Sequence, residues 1–489
     1  MSRRRARTAK AGGCSLWHGG VTMGFALDSK TWAAEQFTTC NLGDKRRTNR
    51  IVKMAEQIAD NPSGSFCEQM ETWGDLKAAY RLFDQKQVSF EAVARPHWEQ
   101  TKQVDSGRYL LLDDTTEMDF GRHRKIAGLS KIGNGSGRGF LLHNALMVNA
   151  NSQEIVGVAS QTVHYRKPKP KKENAAQRMK RERESRVWGD VIDAVGQPPE
   201  DVQFVHVCDR GGDDFEVFCH LVKQQSDWVI RASSLHRKIL NTDGEQVSLS
   251  QYLATLPLAG TYELALRSRE DQPARTATLE VRFGKLRVPV PRHTSAYVKS
   301  SGLSSIEMWV VQVCEVDPPE GVEPISWVLY TSLPVVVFAD AWQIIGYYEM
   351  RWLVEEFHKA LKTGCRVQKR GLRKAERLEP MVALMSVVAV RLLQLKSVAR
   401  SDPDRPAKKI VPRLWLQMLK AARKNLRRVH DLTIGEFYRE LAKLGGFLGR
   451  KCDGEPGWIT IWRGWEKLNT LVRGAELALR LKIELEKCG

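Results

Sequence analysis

VQFVHVCDRGGDD, residues 202–214, is the stretch whose reading decides the fold. Apolar residues alternate as far as Cys208 with the period of a strand, the pattern stops at Asp209, and Gly211-Gly212 breaks the chain. The helix DFEVFCHLVKQ follows, with Asp213 expected as its cap, and WVIRAS (228–233) reads as another strand. A carboxylate at the C-terminal end of a buried strand is either a turn residue or part of a site. The rest of the chain has to decide which.

Upstream, the short apolar run Tyr109 to Leu112 ends in Asp113-Asp114-Thr115-Thr116. Two more strands follow at FLLHNALMVN (140–149) and EIVGVASQTVHY (154–165), then the helix SRVWGDVIDAVGQ (185–197). The intervening KIGNGSGRG lacks phosphate-loop spacing and reads as a turn. Three strands, a helix, a strand and a helix is the order of a ribonuclease H-like α/β core. In that core the strands ending at Asp114 and Asp209 lie side by side, so their carboxylates converge. Alternation places Asp113 and Asp114 on opposite faces without choosing between them. Residues 234–332 read as a β-rich insertion in the core, with alternation in YELALR, a hairpin expected at Gly284-Lys285 between TATLEVRF and LRVPV, and further strands at EMWVVQVCEV and ISWVLYTS.

The third acid comes from YEMRWLVEEFHKALK, residues 348–362, which reads as one helix. At 100° per residue from Tyr348, Arg351 falls at about −60°, Glu355 at about −20°, Lys362 at about −40° and Lys359 at about +20°. One arc thus carries a phenol, a carboxylate and three cations. Val354, Phe357 and Leu361 project to the other side. Glu356 competes with Glu355 but lies at about +80°, off the arc. Oxygen ligands from Asp114, Asp209 and Glu355 suit Mg²⁺, which retains waters and takes substrate phosphate oxygens. A pair of such ions serves in-line phosphoryl displacement.

The formal charge of +19 over 489 residues favours a polyanionic partner. The longest apolar run, Met381 to Leu395, is short for a membrane span and is interrupted by Arg391. Residues 1–27 read as a basic arm with no secretory h-region. The nine cysteines include no CxxC pair, consistent with reduced thiols in a cytoplasmic setting. Residues 28–103 read as a helical DNA end-binding domain, with Arg46, Arg47 and Arg50 crowded into the early turns of a helix capped by Asp44, where the macrodipole disfavours cations. Residues 166–186 carry ten Lys or Arg and read as a basic loop. The catalytic core is assigned to 104–233 and 333–372. Residues 373–489 read as a helical C-terminal dimerisation domain, with a Trp-rich turn (Trp458, Trp462, Trp465) before the last helix.

Taken together, the offsets Tyr348, Arg351, Glu355 and Lys362 and the stretches NLGDKRRTNR, DDTTE, VCDR, RWLVEEFHKALKTG, AVRLLQL and LGGFLGR resemble bacterial insertion-sequence transposases with an Asp-Asp-Glu triad and a Tyr-Arg-Glu-Lys signature. Within these, the similarity is to the hairpin-forming kind found in the composite kanamycin-resistance transposon. It implies a cut-and-paste DNA transposase that acts as a homodimer on transposon-end and target DNA, bacterial and nucleoid-associated when bound. It also implies Asp114, Asp209 and Glu355 as ligands of two Mg²⁺, with Mn²⁺ substituting. Asp114 is preferred to Asp113 because the related motif is Asp-Thr-Thr. Tyr348, Arg351, Lys359 and Lys362 would hold phosphates, Trp327 would stack on a flipped base, and Arg46, Arg47 and Arg50 would contact the end. A different ribonuclease H-like nuclease and a catalytically silent DNA-binding derivative are the alternatives. ADNPSGSFCEQM and the N-terminal extension depart from the resemblance.

Overall fold

The computed structural model describes residues 29–488 apart from 122–124, 169, 171, 173, 175–176, 178–183, 267–272, 402, 427–430 and 451–452, with backbone alone for 395–401 and 482–488. The expected basic arm and much of the basic loop lie outside the described residues. Five helices lead: α1 (Ser29–Phe37), α2 (Lys45–Asp60), α3 (Phe66–Gln69), α4 (Trp73–Leu82) and α5 (Phe90–Thr101). The side chains of Asp44, Thr72 and Ser89 cap α2, α4 and α5 by accepting from the amides of Arg46, Asp75 and Ala92. Each satisfies a donor that the helix leaves open. Asp44 also offsets the cations of the first turn of α2.

The central sheet begins with β1 (Gly107–Asp119), β2 (Ser130–Ile132), β3 (Gly137–Asn149) and β4 (Ile155–His164). Helix α6 (Arg186–Val195) crosses over to β5 (Val202–Cys208), and α7 (Phe215–Lys223) leads to β6 (Asp227–Arg231). β3 is antiparallel to both β1 and β4, whereas β1, β5 and β6 run parallel. The adjacency of β1 and β5 is as expected, and the expected order of strands and helices holds with one addition: the short β2 runs into the stretch expected as a turn and pairs with β3. Asp214, however, caps α7 by accepting from the Glu216 amide at 3.0 Å, where Asp213 was expected. Asp213 is buried, accepts from the Ser233 amide at 2.6 Å and forms an ion pair with Arg237 at 2.6 Å, so it ties β5 to the chain leaving β6.

Next come β7 (Lys238–Leu240), β8 (Gln246–Ser248), α8 (Leu249–Thr255), β9 (Gly260–Leu266), β10 (Arg275–Pro289), α9 (Ala296–Ser301), β11 (Ser305–Val316) and β12 (Ser326–Thr331). β12 pairs with β6, so these strands continue the same sheet, in the order β6-β12-β11-β10-β7-β8, with β9 also on β10. There is no hairpin at Gly284-Lys285. β10 runs straight through, paired with β11 from Thr278 to Pro289. Gly284 serves close approach instead of a turn, since a Cβ there would stand 2.5 Å from Leu256 and 2.6 Å from the Tyr252 hydroxyl.

The expected single helix over 348–362 is three pieces: α10 (Phe338–Glu349), α11 (Trp352–Lys359) and one π-turn, Ala360–Gly364. At the first junction the amides of Arg351, Leu353 and Val354 bond three residues back, at 3.0–3.1 Å, which tightens the coil. Helices α12 (Ala375–Ser401), α13 (Arg413–Ala422), α14 (Ile434–Leu444) and α15 (Trp458–Cys488) complete the chain. The three tryptophans expected in a turn belong to the first turns of α15, where all three indoles are buried. Their spacing of three and four residues fits a helix face.

One apolar core joins α1–α5, one face of the sheet, α10–α12 and the C-terminal helices, with Met381–Val390 of α12 buried throughout. Helices α6 and α7 cover the other face. No described helix is long and apolar enough to cross a membrane. Arg370, beyond the π-turn, is buried and donates to the carbonyls of Gly64, Pro62 (2.7 Å) and Cys365 (2.7 Å) and to the Gln69 side chain at 3.0 Å, with Phe66 under its guanidinium. A buried acceptor without a donor costs about 1–3 kcal/mol. Arg370→Met should therefore lower the unfolding free energy by about 3 kcal/mol, read as a fall in the urea midpoint at unchanged slope. A loss below about 1 kcal/mol would show that the loop is not held by this guanidinium.

Candidate functional site

The alternation of β1 selects which acid joins the site. Leu110 and Leu112 belong to the face covered by α10–α12, and Asp114 continues that row. Tyr109 and Leu111 face α6, and Asp113 continues theirs. Asp113 is fully buried and bonded to His206 Nδ1 at 2.7 Å, with the Cys208 thiol donating at 3.6 Å. On β5 the same logic puts Val205 and Val207 on the first face and Asp209 after them. The register pairs Asp113 with Cys208, so Asp114, at the point where β1 parts from β5, stands beside Asp209, which follows the last residue of β5. β1 does not end at Asp114 as expected but runs on to Asp119, paired with β3.

Helix α11 lies across the point where β1 and β5 part. Arg351 Nη2 donates to Glu355 Oε1 at 2.6 Å, and its Nη1 stands 3.5 Å from Asp114 Oδ2. Burial, reinforced by the nearby charges of Asp209 and Glu355, pushes the Asp114 carboxyl up to about 6, although Arg351 pulls the other way. Burial disfavours the Arg351 charge, yet Tyr348, Asp114 and Glu355 outweigh it and raise that group. One guanidinium thus balances a face crowded with like charge. Among the described residues, no three carboxylate, imidazole or thiol groups stand close enough to share one metal ion. Arg351 lies between two of the three acids. Glu355 is half-exposed and Glu356 is buried.

Of the other expected residues, Tyr348 is buried at the end of α10, its ring 5.8 Å from that of Trp327 and 6.0 Å from the Arg351 guanidinium. Trp327, half-buried on β12, therefore reaches the site. Lys362 is carried by the π-turn and half-buried. Burial lowers its ammonium pKa while Glu117, Asp114 and Asp119 oppose that shift. Lys359 is exposed on α11. The arginines of α2 divide in role. Arg47 donates to the Leu42 carbonyl at 3.0 Å and to Gln85 and Gln87, and Arg50 pairs with Asp75 at 2.5 Å. Arg46, with its side chain 90% exposed beside Asp44, projects into solvent.

Several site residues were not foreseen. His358 donates nothing to Asp114 at 3.9 Å, but its Nε2 accepts from Asn144 Nδ2 at 2.9 Å, Asn144 Oδ1 accepts from Gln161 at 2.6 Å, and Gln161 also reaches Ser386 of α12 at 3.2 Å. Burial, with Lys362 next in effect, holds the His358 imidazole down to about 3, so it is neutral. This buried chain fixes α11 over β1, β3 and β4. Its only sequence signal was a polar residue inside each of two apolar strands. Arg231, one register step beyond the Cys208–Ile230 pair, sits beside Asp209 and donates to the Ser326 carbonyl at 3.0 Å. Trp352 is exposed next to Arg351.

The flanks of this site match known families. Residues 29–88 match the family model described as transposase DNA-binding, and residues 387–483 match the Tn5 transposase dimerisation domain. The first match covers α1 to α4, and the second runs from within α12 into α15. Together they support a Tn5-like transposase with DNA-binding and dimerisation domains, and such families imply DNA-processing activity.

The burial of Asp114 beside other acids has a measurable sign. A carboxyl raised from its ordinary 3.8 to about 6 is ionised at lower cost in the unfolded chain, so the folded state loses stability as pH rises from about 4 to about 6. In chelating buffer, Asp114→Asn should be more stable than wild type by about 2–3 kcal/mol above pH ~6.5, and the gain should vanish below pH ~4. Denaturant unfolding across that range reads it. A gain independent of pH would contradict the assignment.

Proposed function

We propose that this transposase works by cut-and-paste chemistry on a ribonuclease H-like core, nicking at transposon ends, forming and resolving a hairpin, and joining the released end to target DNA. The observation that carries the reading is the placement of Asp114 and Asp209 side by side where the parallel pairing of β1 and β5 stops, on the face that Glu355 overhangs. The donor set is all carboxylate, and burial, with the Asp209 charge next in effect, raises Asp114. Both properties suit a hard divalent cation, and Arg351 is the cation that stands between two of the acids in its place. Asp114, Asp209 and Glu355 would hold two Mg²⁺, or Mn²⁺, whose chemistry when bound is to activate the attacking oxygen and stabilise the leaving one.

The chain's own groups then have defined tasks. Incoming phosphate competes with the carboxylates for Arg351, and half-exposed Glu355 is left to turn toward Asp114 and Asp209. Tyr348, Arg351 and Lys362 grip the phosphates flanking the scissile bond, with Lys359 at the outer edge. Trp327, edge-on to Tyr348, offers a platform for a base extruded from the duplex, an extrusion that costs a few kcal/mol. Arg46 contacts the transposon end. The reading as another nuclease on the same core leaves both flanking family matches unused.

Purified protein, Mg²⁺ and a labelled linear duplex bearing the element's terminal inverted repeat test this directly. Wild type should release hairpinned termini, and Asp209→Ala or Glu355→Ala should lower the nicking rate about a thousandfold, about 4 kcal/mol of barrier. Equal cutting by either variant would overturn the site. Trp327→Ala should keep nicking but reduce hairpin yield about tenfold, since only base extrusion loses its platform. Parallel losses at both steps would place Trp327 in the fold instead.

A further inference from the structure

Trp73 is the most exposed tryptophan among the described residues, at 68%. It opens α4 as the first residue after the Thr72 cap. A fully buried indole removes about 150–250 Å² from water, so most of that gain is left unused in the isolated chain. Its surroundings are not those of a core residue waiting for an apolar lid. Lys77 Nζ lies 5.1 Å from the ring centroid. Two residues on, Asp75 binds Arg50 at 2.5 Å and Lys53 at 3.1 Å, which fixes the first turn of α4 against the basic half of α2. These bonds lower the Asp75 carboxyl to about 2, with Arg50 the larger cause, so the tie stays intact at neutral pH. Glu71 also stands 3.8 Å from Lys53.

The matched DNA-binding segment, residues 29–88, is almost charge-balanced, with nine Lys or Arg against eight Asp or Glu. Five of the nine cations lie between Lys45 and Lys53, so attraction to phosphate is concentrated on one edge and is modest in total. Phosphate contacts set register, and apolar contacts with base edges can carry sequence. We infer that Trp73 is a sequence-reading residue for the transposon end: its indole lies in a groove of the duplex while the cations of α2 and Lys77 take the bordering phosphates. This inference rests on the proposed transposase function and names one specificity residue for it.

The test selects a random-sequence duplex library against the full-length protein and against Trp73→Ala and Trp73→Phe. Wild type should enrich one motif. Trp73→Ala should bind the wild-type motif about tenfold more weakly relative to scrambled duplex, with sequence preference lost at two or three adjacent positions, and Trp73→Phe should retain most of it. Because the indole is neutral, Trp73→Ala should leave the slope of log K against log salt unchanged, whereas Lys77→Ala should reduce it by about 1. An unchanged motif and affinity ratio in Trp73→Ala would overturn the inference alone. So would a shift in self-association, which marks the face as a contact between copies. No motif enriched by wild type would overturn both this inference and the end-binding function beneath it.

Discussion

The structure depends on holding like charges together on a partly desolvated face. Where two parallel strands part, each carries an aspartate directed to the same side, and a helix brings a glutamate over them. Such a cluster opposes folding unless something cationic enters it. Arg351 does so without closing the site, because its contact with Asp114 at 3.5 Å is loose and Glu355 remains half-exposed. The neutral His358, bonded into the Asn144–Gln161–Ser386 chain, supports the same helix without adding charge. The cost of the cluster is thereby offset in a way that incoming ligands can replace.

Much of this was legible because strand and helix periods sort residues by face. Alternation separated Asp113 from Asp114, and the 100° advance separated Glu355 from Glu356, before any packing was known. What stayed hidden depended on neighbours distant in sequence. Gly284 looks like a turn, but it is the small residue under Tyr252 and Leu256. Asp213 and Asp214 are equivalent caps on paper, and only Arg237 and Ser233 decide between them. The break at Met350–Arg351 follows no proline or glycine, so nothing local announced it. Of the three arginines that the resemblance marks for DNA, Arg47 and Arg50 have side-chain partners within the helical unit and Arg46 is the most exposed, pairings that only the fold reveals.

The helical flanks and the sheet share one core, which gives the region matched to a DNA-binding domain a physical route to the candidate site. Arg370 leaves the segment that carries Lys362 and grips the loop between α2 and α3, while buried Arg391 of α12 lies over Trp32 of α1 at 4.9 Å. Asn469 and Arg473 of α15 reach the end of α2 at Asp60. A ligand that moves α2 therefore works against contacts made by the segment carrying Lys362 and by the region matched to the dimerisation domain alike.

The central claim is that Asp114, Asp209 and Glu355 together hold divalent metal, and metal-localised backbone cleavage tests it most directly. With Fe²⁺ in place of Mg²⁺, ascorbate and peroxide generate hydroxyl radicals at the bound ion. The account predicts cuts confined to the chain around Asp114, Asp209 and Glu355, suppressed by excess Mg²⁺ and lost in Glu355→Ala. Cleavage elsewhere, or at these positions regardless of Glu355, would contradict it.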